Sequence, residues 1–127
     1  MIIGTGIDII EVERVKKALD DHGERFLQRV FTQRELDYAK TKKFPCENLA
    51  ARFACKESVL KAFGDTRTGI QLKSIEVLND EKGKPEIVLH GEAKEFADRN
   101  RLDNIIVSMS HTPNYAVSNA VLWRNSP

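Results

Sequence analysis

The hydrophobic period of this chain changes at Gly64. Before it, apolar residues recur at helical spacing; from Ile70 onward they alternate as strands do, and a β-branched run with two glycines opens the chain. Met1 to Ile10 reads as a strand buried on both faces. Strand, helices, hairpin, helix and hairpin in that order predict an α+β fold, a largely antiparallel sheet packed against helices. With 127 residues the chain fits one domain, 1–127, without a linker, internal repeat or low-complexity segment.

Local signals divide the helical part. Glu11 to Val30 reads as two helices broken at Gly23. Thr32 followed by Glu35 is a capping box that starts a short helix reaching about Lys40. Pro45 precedes a long helix over Glu47 to Phe63, closed by Gly64. Beyond the loop Asp65 to Gly69, the spans Ile70 to Val77 and Ile87 to Leu89 bracket a turn and read as a hairpin. Glu92 to Arg99 reads as a helix, and Ile105 to Met109 and Tyr115 to Trp123 as strands joined by Thr112-Pro113-Asn114.

Charge narrows the partners. Twenty Lys and Arg against nineteen Asp and Glu leave a net charge of +1, and only 7% of residues are aromatic, so no basic stripe points to nucleic acid. Any electrostatic recognition must be local. No apolar run reaches the roughly 18 to 20 residues that span a bilayer, and the opening segment lacks a basic leader. Cys46 and Cys55 lie nine residues apart in one predicted helix, roughly 13 Å at about 1.5 Å per residue, beyond disulfide reach. Free thiols suit a reducing compartment, so the expected location is the cytoplasm.

Several residues resist a purely structural reading. Alternation puts Asp8 on the face of Ile2, Gly4, Gly6 and Ile10, where a carboxylate needs a partner. It either caps the next helix or binds a hard cation, with the glycines leaving space for a bulky group. On the long helix, at about 100° per residue from Leu49, Phe53 falls near 40°, Leu60 near 20° and Phe63 near 320°, and Lys56 falls among them near 340°. A lysine there is expected to send its ammonium toward an anion, with Arg52 one turn earlier on the same side. Glu57 and Lys61, at the edge of the stripe, could be a solvated i,i+4 ion pair. In Ser108-Met109-Ser110-His111-Thr112 hydroxyls and an imidazole could collect phosphate oxygens. No GxSxG elbow, third dinucleotide-binding glycine or GK[ST] loop is present, and Gly83-Lys84-Pro85 reads as a hairpin turn.

Three separated segments resemble one family. Gly6-Ile7-Asp8-Ile9, Arg52 through Gly64 with its Phe-x-x-Lys-Glu-x-x-x-Lys core, and Ser108 through Thr112 resemble the signatures of bacterial holo-acyl-carrier-protein synthases, the small class of 4′-phosphopantetheinyl transferases. Phe31-Thr32-Gln33-Arg34-Glu35 and Gly83-Lys84-Pro85 resemble lesser signatures. Asp65-Thr66-Arg67 follows Gly64 where many relatives carry a second glycine.

The resemblance implies the family's fold and a Mg²⁺-dependent transfer of the phosphopantetheine arm of coenzyme A to a serine of apo acyl carrier protein, releasing adenosine 3′,5′-bisphosphate. It makes Asp8 and Glu57 the magnesium ligands and places Arg52, Lys56, Lys61, Gly64, Ser110, His111 and Thr112 at coenzyme A. Asp8, Glu57 and Lys61 become the catalytic set; as base, Glu57 and a metal-bound water or hydroxide both stay open. The carrier protein docks at Arg14 and Arg25, on helices where five basic residues face five acidic ones. The family is trimeric, with sites shared between subunits. The rival reading is a non-catalytic nucleotide- or coenzyme A-binding module that holds phosphates and transfers nothing.

Overall fold

The computed structural model of the chain describes residues 1–64 and 69–126. In chain order the elements are β1 (Ile2–Glu11), α1 (Val12–His22), α2 (Glu24–Val30), α3 (Gln33–Lys40), α4 (Pro45–Phe63), a 3-10 turn (Leu72–Ser74), β2 (Ile75–Asn79), β3 (Pro85–Leu89), α5 (Gly91–Arg99), β4 (Asn104–His111) and β5 (Tyr115–Trp123). All strand pairs are antiparallel, but they form two sheets, β1-β5-β4 and β2-β3.

The local signals act as expected. Thr32 N donates to Glu35 Oε1 at 2.9 Å while Glu35 N donates to Thr32 Oγ1 at 3.3 Å, which closes the capping box of α3. Gly64 ends α4 in the left-handed region at φ 83°. Pro45 is already the first residue of α4, because its fixed φ suits a helix start and its missing N–H costs nothing there. The first hairpin strand begins at Ile75 rather than Ile70. Ser74 folds back with both its N–H and its hydroxyl on Gln71 O, at 3.0 and 2.6 Å, so Leu72–Ser74 turns instead of extending.

Helix α4 lies at the centre. It is buried on nearly every side and links two apolar clusters, one around Val12, Val15, Phe31 and Leu49, the other around Val59, Phe63, Ile75 and Leu122. A helix enclosed all round has no single apolar stripe.

One face of the β1-β5-β4 sheet carries α4. The register aligns Gly6 with Ala120 and Val107, Asp8 with Ser118 and Met109, and Ile10 with Ala116 and His111 on that side. Asp8 and His111 thus share a face, two strands apart and offset by two residues along them, roughly 12 Å in all. The other face is open: Ile7 and Ile9 are each 66% exposed, beside exposed Val117, Tyr115, Ile106 and Trp123. The expectation of a strand buried on both faces fails, because β1 is an edge strand with a helix on one side only.

The glycines of β1 serve that packing. A Cβ on Gly6 would stand 2.0 Å from Ser58 O, and one on Gly4 would stand 2.4 Å from Ala62 O. The space expected for a bulky ligand is therefore filled by the backbone of α4.

Candidate active site

The close approach of β1 and α4 brings three predicted residues together. Asp8 from the strand and Glu57 from the helix line one cavity of about 380 Å³, with Arg14, Phe26 and Phe53 also in its wall. Lys61, one turn beyond Glu57, donates to Asp8 Oδ1 at 2.9 Å and to Ile7 O at 3.1 Å. The alternative of a plain helix-surface pair between Glu57 and Lys61 is not what forms. Burial raises the pKa of Glu57 above the usual carboxylate range, the charge of Asp8 raises it further, and Lys61 opposes both.

Two half-buried carboxylates under mutual repulsion suit a hard dication, which takes oxygen ligands and relieves the clash. Among the described residues no group of three acidic, histidine or cysteine side chains could hold a metal alone. A magnesium ion on Asp8 and Glu57 would complete its shell with substrate oxygens and water, as that ion ordinarily does.

Arg52 and His111 meet in a second cavity of about 400 Å³, with Tyr38, Lys42, Lys43 and Asn79. Arg52 is 1% exposed, hydrogen-bonded to the side-chain oxygens of Asn48, at 2.6 Å, and Asn79, and it stacks on the Tyr38 ring with its charge 4.6 Å from the centroid. Its Nε has no acceptor among the described residues. Burial lowers its pKa from the ordinary value while the charge of Glu35 resists. A buried guanidinium whose hydrogen-bond acceptors are neutral amides is short of negative charge, and Lys42 and Lys43 add to the deficit, so the cavity favours an anion. His111 Nδ1 lies 3.0 Å from Glu47 Oε1.

The remaining predicted residues lie elsewhere. Lys56 corrects the sequence reading: it is 0% exposed, and the anion it seeks is internal. Its Nζ donates to Glu35 Oε1 at 2.8 Å, Ile75 O at 2.6 Å and Leu72 O at 3.2 Å, which uses all three donors and leaves none for coenzyme A. Ser110 sits opposite Val117 on the open face of the sheet, away from His111. The Thr112 hydroxyl accepts from Asn114 N at 3.3 Å and Tyr115 N at 3.1 Å within the turn. Gly64 is exposed at the end of α4, and Asp65 to Arg67 lie outside the described residues. Arg25 is exposed on α2, outside the lining of the Asp8 cavity. Burial pushes the Cys55 thiol up to about 11, so it offers no nucleophile.

Sequence reasoning missed Glu47, Asn48, Lys42 and Lys43. The basic pair just before Pro45, and polar residues at Glu47 and Asn48 one turn ahead of Arg52, were the signals available.

Residues 4–119 match the family ACPS, the 4′-phosphopantetheinyl transferase superfamily. The chain belongs to this superfamily. Among its similar proteins is a holo-[acyl-carrier-protein] synthase of Thermoanaerobacter sp. strain X514, 43% identical over 121 residues, which are 95% of this chain and 87% of the relative. The holo-[acyl-carrier-protein] synthase structure from Neisseria meningitidis superposes on this transferase with a TM-score of 0.89 at 28% identity, over 98% of this chain and all of that one. The synthase from Bacillus anthracis, described in complex with coenzyme A (3′,5′-ADP), gives 0.80 at 35% identity, over 98% and 99%. The resemblance drawn from three short segments thus extends over nearly the whole transferase, and the α+β fold it implied is the one found.

Proposed function

We propose that this phosphopantetheinyl transferase is a holo-acyl-carrier-protein synthase. It moves the 4′-phosphopantetheine arm of coenzyme A onto a serine hydroxyl of apo acyl carrier protein and releases adenosine 3′,5′-bisphosphate, a step that equips fatty acid biosynthesis in the cytoplasm. The observation that carries this reading is the convergence of Asp8, Glu57 and Lys61 where β1 and α4 touch. The nucleophile belongs to the carrier, which accounts for a site without an activated serine or thiol.

Asp8 and Glu57 hold Mg²⁺, which polarises the pyrophosphate when bound. Lys61, half-exposed and tied to Asp8, offsets charge on the leaving phosphate. The serine proton goes to Glu57 or to a water or hydroxide that the metal would hold beside it. Arg52 and His111 bind the adenosine-side phosphates, joined by Lys42 and Lys43. The acidic carrier docks at Arg14, in the wall of the Asp8 cavity, and at Arg25, exposed on α2.

The two cavities are separate within one chain, so the reading adds a second copy. The open apolar face of Ile7, Ile9, Val117 and Tyr115 supports a homotrimer whose subunits pair the Asp8 cavity of one with the Arg52 cavity of its neighbour.

The test is to incubate apo carrier with coenzyme A and the protein, with and without Mg²⁺, and to quantify nucleotide and holo carrier together. The reading expects one adenosine 3′,5′-bisphosphate per holo carrier and no turnover after chelation. Coenzyme A binding without transfer would mark a binding module instead.

A further inference from the structure

The Glu47 side chain is 12% exposed and that of His111 is 41% exposed, so the carboxylate lies inside and the ring reaches outward from it. Their 3.0 Å contact joins the end of β4 to the first turn of α4 and involves Nδ1. A carboxylate oxygen only accepts, so the Nδ1 proton is committed to Glu47. The neutral ring then has an unprotonated Nε2, which can accept but not donate. That nitrogen becomes a donor only in the imidazolium.

The charged and titratable groups near His111 are Glu47 of α4, in direct contact with it, and the residues that share its cavity: Arg52 from α4, Tyr38 from α3, and Lys42 and Lys43 from the connection between those helices. Three permanent cations make the occupant an anion, and an anionic oxygen requires a donor. Were Nδ1 free, the neutral ring could shift its proton to Nε2 and donate without gaining charge. Glu47 removes that option.

We propose that Glu47 is a positioning residue that allows His111 to hold an anion only as the imidazolium, so that binding the bisphosphate end of coenzyme A takes up one proton from solvent at Nε2. The proposal rests on the reading that this cavity receives those phosphates. The proton enters the His111–ligand hydrogen bond and returns to solvent when the nucleotide leaves.

Two measurements test it on the full chain. Long-range ¹H–¹⁵N spectra of the imidazoles of His22, His90 and His111, assigned with His111→Asn, should show the neutral His111 ring protonated at Nδ1. In Glu47→Gln the amide can either accept from or donate to Nδ1, so the Nε2–H form should become populated. Calorimetric titration with adenosine 3′,5′-bisphosphate, at a pH where the same spectra show the wild-type His111 ring neutral and in buffers of different ionisation enthalpy, then counts protons. Wild type should take up about one proton more than Glu47→Gln or His111→Asn, and its affinity should fall up to about tenfold more per pH unit. The ligand's own phosphate titration is common to all three proteins and cancels. An Nε2–H ring in the wild type, which needs no variant to fold, would overturn the proposal, as would equal proton uptake in wild type and Glu47→Gln. Absence of bisphosphate binding to the wild type would overturn the cavity reading itself, and the ligand-free spectra distinguish that failure from a wrong role for Glu47.

Discussion

Lys61 donates to Asp8 Oδ1 at 2.9 Å, across the contact between α4 and β1, rather than to Glu57 one turn behind it on its own helix. The charge pattern of the site therefore crosses two elements: a cation on α4 steadies a carboxylate on β1, while burial and the charge of Asp8 act on Glu57 and the charge of Lys61 only partly offsets them. Lys61→Ala should lower transfer by about 100-fold or more, the scale of losing one donor to a developing negative charge. Because the Lys61 end of the pair is half-exposed, the pair should contribute little to stability, so melting temperature should barely move. Steady-state kinetics beside thermal melts check this; a parallel fall in both would return Lys61 to a structural role.

Glu57 should be a functional group held at a cost to the fold. Its raised pKa means that the folded state binds a proton more readily than the unfolded chain. Stability linked to this group is therefore present at low pH and is lost as pH rises through its folded pKa. In metal-free buffer at neutral pH, Glu57→Gln should melt higher than wild type while losing transfer. Added Mg²⁺ should stabilise the wild type and leave the variant unchanged.

Gly6→Ala should damage both fold and activity. The new Cβ would stand 2.0 Å from Ser58 O and 2.8 Å from Ala62 N, so β1 and α4 must separate. Such overpacking costs about 1 to 3 kcal/mol, and a displacement of about 1 Å between reacting groups can cost about 100-fold in rate. Urea unfolding and kcat measure the two effects. A variant with unchanged midpoint and turnover would contradict the role given to this contact.

Acid stability should depend on Glu76. Burial alone would raise its pKa, but hydrogen bonds from Arg34, Thr32 and His90, at 2.5 to 3.1 Å, outweigh that and lower it to about 2. The unfolded chain then binds the proton more readily, so the contribution is complete above about pH 5 and is lost as pH falls toward about 2. Because Arg34 and His90 are half-exposed or more, its size is on the order of 2 kcal/mol. Glu76→Gln should lower the urea midpoint at pH 7 and flatten the stability profile between those limits. An unchanged slope would mean that other carboxylates govern acid unfolding.

The parts of the fold written in local chemistry were legible from the sequence. The Thr32–Glu35 box, the break at Gly23 and the stop at Gly64 each depend on neighbours a few residues away. Asp8 was legible as an anomaly because a carboxylate on the packed face of a strand must have a partner. Lys56 was misread for a related reason: a wheel projection assumes one buried stripe, whereas α4 is surrounded, and the Glu35 that receives the ammonium lies twenty-one residues away. The glycines were misread because close approach of two backbones and room for a ligand leave the same mark in a sequence. Glu47 went unnoticed because its partner His111 is sixty-four positions distant, and only the sheet register brings that end of β4 over the start of α4.

Intact mass of apo carrier protein after incubation with coenzyme A, Mg²⁺ and either wild type, Asp8→Ala or Glu57→Gln tests the central claim most directly. The account predicts complete gain of one phosphopantetheine with wild type and almost none with either variant, each shown by circular dichroism to be folded. Full conversion by either folded variant under limiting Mg²⁺ would contradict it.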